Sequence, residues 1–222
     1  MIILNEIASW CLEPEKLEEA SDKLGKDVCI NCCTLPETTN KDHINVYADF
    51  MEHSGYLAPV QEVIEKHSDF DLILTRRKEI LEQTPNSKLF MFGSCWITSP
   101  ELVWNNKKNS ISYTTTSKRS YGWDNSYDLR LTIAENFSRL RQRSNLPMTF
   151  YNSSRCPVLS PPEGSLVLGE SKSPIFESMF SIVCENEQSD YFFTEKLIDC
   201  LITKTVPIYH GSLDVPEIFN PD

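Results

Sequence analysis

Thr194, Glu195 and Lys196 stand directly before Leu197, Ile198, Leu201 and Ile202. Those apolar residues recur at i, i+1, i+4 and i+5, which lines one face of a helix. Thr194 is placed to cap that helix, its hydroxyl accepting from a first-turn amide. Unpaired amides and the positive dipole end make such a turn attractive to a phosphate. Lys196 adds a mobile cation there, and Glu195 an acceptor able to hold a sugar diol. Taken alone, Thr-Glu-Lys reads as no more than a helix start with two solvated charges. Upstream, Ser178 to Cys184 reads as a strand that delivers Glu185 and Asn186 at its carboxyl end. Downstream, Val206 to Tyr209 reads as a short strand, and Pro207 restricts it to an early or edge position.

The run Phe180-Ser-Ile-Val-Cys-Glu-Asn-Glu-Gln-Ser-Asp-Tyr-Phe-Phe-Thr-Glu-Lys-Leu-Ile-Asp-Cys, followed by Val206-Pro-Ile-Tyr-His-Gly-Ser, resembles the donor-binding core of the α1,3/4-fucosyltransferases (glycosyltransferase family 10), soluble bacterial or viral type. That family has a strand ending in Glu-Asn, a short gap, Tyr-x-Thr-Glu-Lys, a helix, and then Pro-Ile/Val-x-x-Gly. The gap from Asn186 to Glu195 fits without an insertion. One position departs: the family's Tyr three residues before the Glu is Phe192 here, with Tyr191 beside it. The hydroxyl contact to the nucleotide is then either lost or supplied by Tyr191. The resemblance implies that Lys196 binds phosphate, that Glu195 binds ribose, and that Asn186 lies near the nucleotide and the transferred sugar. Glu185 either serves the sugar or caps a strand end.

Thr116-Ser-Lys-Arg-Ser and then Tyr127-Asp-Leu-Arg-Leu resemble the same family's strand, loop and helix with an arginine in its first turn, which maps to Arg130. A guanidinium there grips a diphosphate bidentately and neutralises charge on the leaving nucleotide. Arg119 is a second candidate. Inverting sugar transfer needs a general base for the acceptor hydroxyl, and in the family this is a Glu after a strand of the N-terminal domain. Here the strand His43 to Phe50 leads to Met51-Glu52-His53, which makes Glu52 the candidate base and His53 its alternative. Phe70-Asp-Leu-Ile-Leu-Thr and Phe92-Gly-Ser-Cys-Trp-Ile are also similar to the N-terminal half of bacterial and viral members.

The chain has 222 residues, 40% of them apolar and 24% charged, ordinary globular values. A net charge of −11 argues against a nucleic-acid partner, which needs a basic face. No signal peptide and no apolar run of about 18 residues occurs, so the expectation is a cytoplasmic protein without a transmembrane anchor. Met1 leading into Ile-Ile-Leu reads as a natural start. Family members continue with a further helical region beyond the point where this chain ends, so a short or truncated version is expected. Eight cysteines occur. Cys29-x-x-Cys32-Cys33 has no second Cys/His pair at zinc spacing, and reduced, partly buried thiols are expected. Asp69-Phe-Asp71 begins an apolar strand, so no Asp-x-Asp site for a metal diphosphate is expected, and Arg and Lys take that electrostatic role. No Gly-x-Gly-x-x-Gly fingerprint supports a nicotinamide or flavin.

The elements that must position these residues alternate along the chain. Helices are expected over Pro14–Leu24, Leu57–His67, Arg77–Gln83 and Tyr127–Arg143, the last with Leu129, Ile133, Phe137 and Leu140 as its inner stripe. Strands are expected over Asp27–Asn31, His43–Phe50, Asp69–Thr75, Lys88–Phe92, Ser110–Thr116 and Met148–Tyr151. Ser165–Ser173 shows no period. Alternation of this kind predicts parallel α/β layers. Residues 1–98 form an N-terminal, acceptor-side Rossmann-like domain, 99–109 a linker, and 110–222 a donor-binding domain, facing across a cleft in the GT-B manner. The resemblance implies transfer of fucose from GDP-fucose to a hydroxyl of a glycan acceptor. The residue chemistry alone implies a nucleotide-diphosphate ligand. The rival readings are a transferase for another nucleotide-sugar and a degenerate, non-catalytic sugar-binding protein.

Overall fold

The computed structural model describes residues 2–4, 14–49, 51, 54–91, 93–118 and 126–219. The chain divides into two compact units, Met1–Phe92 and Gly93–Asp222.

The first unit runs β1 (Ile2–Leu4), α1 (Pro14–Leu24), β2 (Val28–Cys32), β3 (Ile44–Ala48), α2 (Val60–Glu65), β4 (Leu72–Thr75), α3 (Lys78–Gln83) and β5 (Ser87–Leu89). Its strands form one parallel sheet in the order β1-β2-β3-β4-β5. Parallel sheets are buried on both faces, and the residue alternation displays both. Val28, Ile30, Cys32, Val46 and Ala48 join one apolar cluster. Tyr47 and Ile73 join another with Val63, Phe70 and Ile80. The helix expected over 57–67 contracts to α2, flanked by 3-10 turns at Ser54–Tyr56 and His67–Asp69. Helix α1 stops where Gly25 adopts φ 65 and its N–H bonds the Ser21 carbonyl at 2.9 Å, a left-handed cap that glycine adopts without strain. β1 was not foreseen, since three apolar residues are too few to show a period.

The second unit contains α4 (Glu101–Trp104), β6 (Lys108–Thr115), α5 (Tyr127–Glu135), α6 (Phe137–Arg143), β7 (Met148–Ser153), β8 (Leu166–Leu168), β9 (Ser178–Cys184), α7 (Glu195–Ile202), β10 (Val206–His210) and α8 (Val215–Ile218). All five strands are parallel, in the order β10-β9-β6-β7-β8. From β6 the chain winds out through β7 and β8, then returns to place β9 on the other side of β6. Strand order therefore reverses between β6 and β9. One face packs Tyr113, Phe150 and Met148 against Ala134 and Phe137. The opposite face packs Tyr151, Val183 and Ile175 against Cys200 of α7. β10 is an edge strand, which accommodates the missing N–H of Pro207.

Two expectations change here. The helix foreseen over 127–143 is broken at Asn136, whose side-chain amide and backbone N–H both bond the Thr132 carbonyl, at 2.9 and 3.1 Å. Such side-chain competition for the i−4 carbonyl bends helices. The inner stripe also shifts: Leu129 and Leu140 are exposed, whereas Tyr127, Arg130, Ala134 and Phe137 are buried. The stretch 99–109 is tied into the second unit. Trp104 Nε1 donates to the Ile202 carbonyl at 2.9 Å, and Lys107 Nζ to Phe176 O at 2.5 Å and Thr205 Oγ1 at 2.6 Å. The division between the units falls earlier, after Phe92.

Candidate functional site

The carboxyl ends of β6 and β9 lie side by side where the strand order reverses, the position at which open α/β sheets bind ligands. β6 ends in Thr115, and β9 delivers Glu185 and Asn186. The first turn of α5 is held over them, because the Ser126 N–H bonds the Asn186 carbonyl at 3.0 Å. Arg130, only 6% exposed, then reaches both strand ends. Its Nε donates to Thr115 Oγ1 at 3.1 Å and its Nη1 to Asn186 Oδ1 at 2.6 Å. The guanidinium lies 5.1 Å from the Tyr127 ring centroid, and Tyr113 Oη bonds the Arg130 carbonyl at 2.7 Å. Among the described residues no carboxylate pairs with Arg130: a buried cation is held by neutral groups alone.

Next to it is the opening turn of α7, capped by Thr194 as its position before the apolar stripe predicts. Glu185 is fully buried and accepts from the Thr194 N–H at 2.9 Å, from Thr194 Oγ1 at 2.7 Å and from Lys196 Nζ at 3.2 Å. Its carboxylate thus satisfies the start of the helix from the end of β9. Lys196 Nζ also donates to Thr194 Oγ1 at 2.8 Å and lies 3.9 Å from Glu195 Oε1. Glu195 Oε1 accepts from Lys172 Nζ at 3.2 Å. Burial pushes the Glu195 carboxyl up, but the ammonium charges of Lys196 and Lys172 and hydrogen bonds from Lys172 and the backbone outweigh it. The net effect holds Glu195 below the usual glutamate value.

Gly211 follows β10 and fits against this cluster. A Cβ at that position would meet the Tyr209 hydroxyl and stand 2.8 Å from Glu185 Cγ. The glycine lets β10 and the buried carboxylate come this close.

The structure thus brings Arg130 and Asn186 together, and Glu185, Glu195 and Lys196 together beside them, Glu185 directly preceding Asn186 in the chain. The Tyr191 N–H bonds Asp214 Oδ2 at 3.0 Å and its hydroxyl bonds Glu217 Oε2 at 3.0 Å. Phe192, which stands at the family's Tyr position, is 1% exposed and belongs to the interior. Glu52, His53 and Arg119 lie outside the described residues. Sequence reasoning did not find Thr115, whose only signal was a polar residue at a strand end, or Lys172, which stands near the end of a stretch without periodicity. Among the described residues no group of three His, Cys, Asp or Glu side chains could hold a metal ion, and no helix is long and apolar enough to cross a membrane.

Chemically, two cations and a capped helix start suit a phosphate-bearing anion, and the Glu195 carboxylate suits a hydroxyl pair. No family model matches this chain, and no curated protein matches it. Two solved structures are similar to it in fold. A crystal structure of an α1,3-fucosyltransferase with GDP aligns over 99% of this chain and 70% of its own, at 14% identity and a TM-score of 0.53. A second crystal structure of α1,3-fucosyltransferase aligns over 99% and 71%, at 14% identity and a TM-score of 0.58. The fold of this chain, α/β with parallel sheets, is therefore similar to that of the α1,3-fucosyltransferases.

Proposed function

We propose that this protein is an inverting glycosyltransferase that moves fucose from GDP-fucose to a hydroxyl of a glycan acceptor. The observation that carries the reading is the buried Arg130 guanidinium at the β6–β9 switch point, held by Thr115 and Asn186 with no carboxylate among the described residues. A buried charge without a counter-ion costs several kcal/mol, on the order given by ion-pair deletions. A diphosphate supplies that counter-ion. Fold alone does not assign chemistry, but an α1,3-fucosyltransferase crystallised with GDP supports the choice of donor.

In this reading Arg130 and Lys196 neutralise the diphosphate, so that no tightly bound metal is needed, Glu195 accepts from the ribose hydroxyls, and Asn186 orients the arginine. The acceptor oxygen attacks the anomeric carbon as the bond to the GDP oxygen breaks. GDP leaves with the bonding electrons, and the acceptor's proton goes to Glu52. In this reading the first unit supplies that base. The test is calorimetric titration of GDP into the full chain, with GDP-fucose transfer assayed beside it. Wild type should bind GDP, Lys196→Ala should weaken binding, and Glu52→Ala should keep GDP affinity while losing transfer. Absence of GDP binding to wild type sinks the proposal.

A further inference from the structure

Asp199 lies on α7 one turn after Glu195 and is fully buried. Its Oδ1 accepts from the backbone N–H groups of Trp96 and Ile97, at 2.8 and 3.2 Å, while its Oδ2 is buried with no hydrogen-bond partner among the described residues. Burial pushes the Asp199 carboxyl up, against the pull of the two amides and Lys172. The fold thus tolerates a half-satisfied carboxylate to fix one short segment. Ile97 is buried by this arrangement, but the Trp96 side chain is not: the residue stays 55% exposed. Core packing accounts for the isoleucine and leaves the exposed indole without a reason.

The indole's neighbours supply one. Lys172 Nζ sits 4.0 Å from the Trp96 ring centroid and 3.2 Å from Glu195 Oε1. One ammonium group touches both, so ring and carboxylate lie no more than about 7 Å apart. That is a span a single nucleoside covers from its ribose hydroxyls to its base. Lys172 lies over the indole and braces the ring by a cation–π contact, while the residue as a whole stays 55% exposed.

We propose that Trp96, held by Asp199 and braced by Lys172, is the surface on which the nucleobase of the bound nucleotide stacks. The inference rests on the donor reading above, because it takes Glu195 as the ribose acceptor. It makes the base, besides the diphosphate, a determinant of which donor is chosen. Stacking tolerates any base and grows with ring area, so purine nucleotides bind more tightly than pyrimidine ones.

The test titrates GDP, UDP and inorganic pyrophosphate into the full chain, as wild type, Trp96→Ala and Trp96→Phe, with thermal melts confirming that each variant folds. Trp96→Ala should weaken GDP by about 10- to 100-fold, weaken UDP by less, and leave pyrophosphate unchanged. Trp96→Phe, which keeps a smaller ring and serves where the alanine variant does not fold, should lose an intermediate amount of GDP affinity. Equal loss of GDP and pyrophosphate, or no loss of GDP, overturns the assignment while leaving the donor reading intact. If wild type does not bind GDP, the donor reading itself fails and this inference falls with it.

Discussion

Arg130 and Asn186 are 56 residues apart in the chain and 2.6 Å apart in space, guanidinium Nη1 to amide Oδ1. The contact joins the first turn of α5 to the residue just past β9, across the point where the strand order of the second sheet reverses. It exists because Arg130 falls on the buried side of α5 with Tyr127 and Ala134. An arginine placed there for packing alone is a poor choice, since its charge must be desolvated.

Arg130→Lys separates charge from geometry. Lysine keeps the cation but lacks the planar fork that reaches Thr115 and Asn186 together. A hydrogen bond from a charged group contributes about 1.5–3 kcal/mol, so GDP affinity should fall by roughly 10- to 100-fold. The chain should stay folded, as judged by its melting curve. Unchanged affinity by calorimetry would mean that the arginine does not touch the ligand.

Gly211→Ala tests the close approach of β10 to Glu185. The added methyl must displace the Tyr209 ring or the buried Glu185 chain. Overpacking of this kind costs about 1–3 kcal/mol. The variant should lose that much in urea unfolding. It should also bind GDP more weakly, because Glu185 holds both Thr194 and Lys196. A variant as stable as wild type would show that the site has slack at this point.

Asp49→Ala probes the first unit. Asp49 Oδ2 accepts from Thr75 Oγ1 at 2.5 Å and Arg77 Nε at 2.9 Å, and Oδ1 accepts from Tyr47 Oη at 2.6 Å and Arg77 Nη2 at 3.0 Å. Its side chain is fully buried and that of Arg77 is 13% exposed. Removing one partner of such a pair leaves the other charge uncompensated, at a cost of about 3–5 kcal/mol. Chemical denaturation should show a loss of that size. A loss below about 1 kcal/mol would place the pair in the range of solvent-screened surface bridges.

Much of this architecture is legible in the residues because parallel strands are buried on both faces and so appear as short apolar runs. Ser178–Cys184 matches its strand at both ends, and Thr194 caps its helix as its hydroxyl allows. Glu185 and Asn186 were visible as the polar pair closing an apolar strand. What stayed hidden depends on contacts between distant segments. Lys172 meets Glu195 across 23 residues and Trp96 meets Asp199 across 103, and neither pair leaves a local period. The inner face of α5 was misjudged because hydrophobicity favours Leu129, whereas the fold buries Arg130 between Thr115 and Asn186.

The acid response should divide between Glu195 and Asp199 with opposite signs. Although burial raises the Glu195 carboxyl, Lys196 and Lys172 bring its net value below that of an unfolded glutamate, about 4.3. Its charged form therefore adds stability that is fully present above that pH and is lost as pH falls through the lower folded value. Burial holds Asp199 above the unfolded aspartate value of about 3.9. Its contribution is most favourable when protonated and declines as pH rises from there through the raised folded value. Melting midpoints of wild type, Glu195→Gln and Asp199→Asn between about pH 3 and pH 8 separate the two. The Glu195 variant should lose less stability than wild type on acidification, because it has no carboxylate to protonate. The Asp199 variant should lack the part of the decline that wild type shows as pH rises. Parallel curves for all three proteins would mean that neither carboxyl differs between the folded and unfolded chain, and the charge arrangement at the start of α7 would then need to be redrawn.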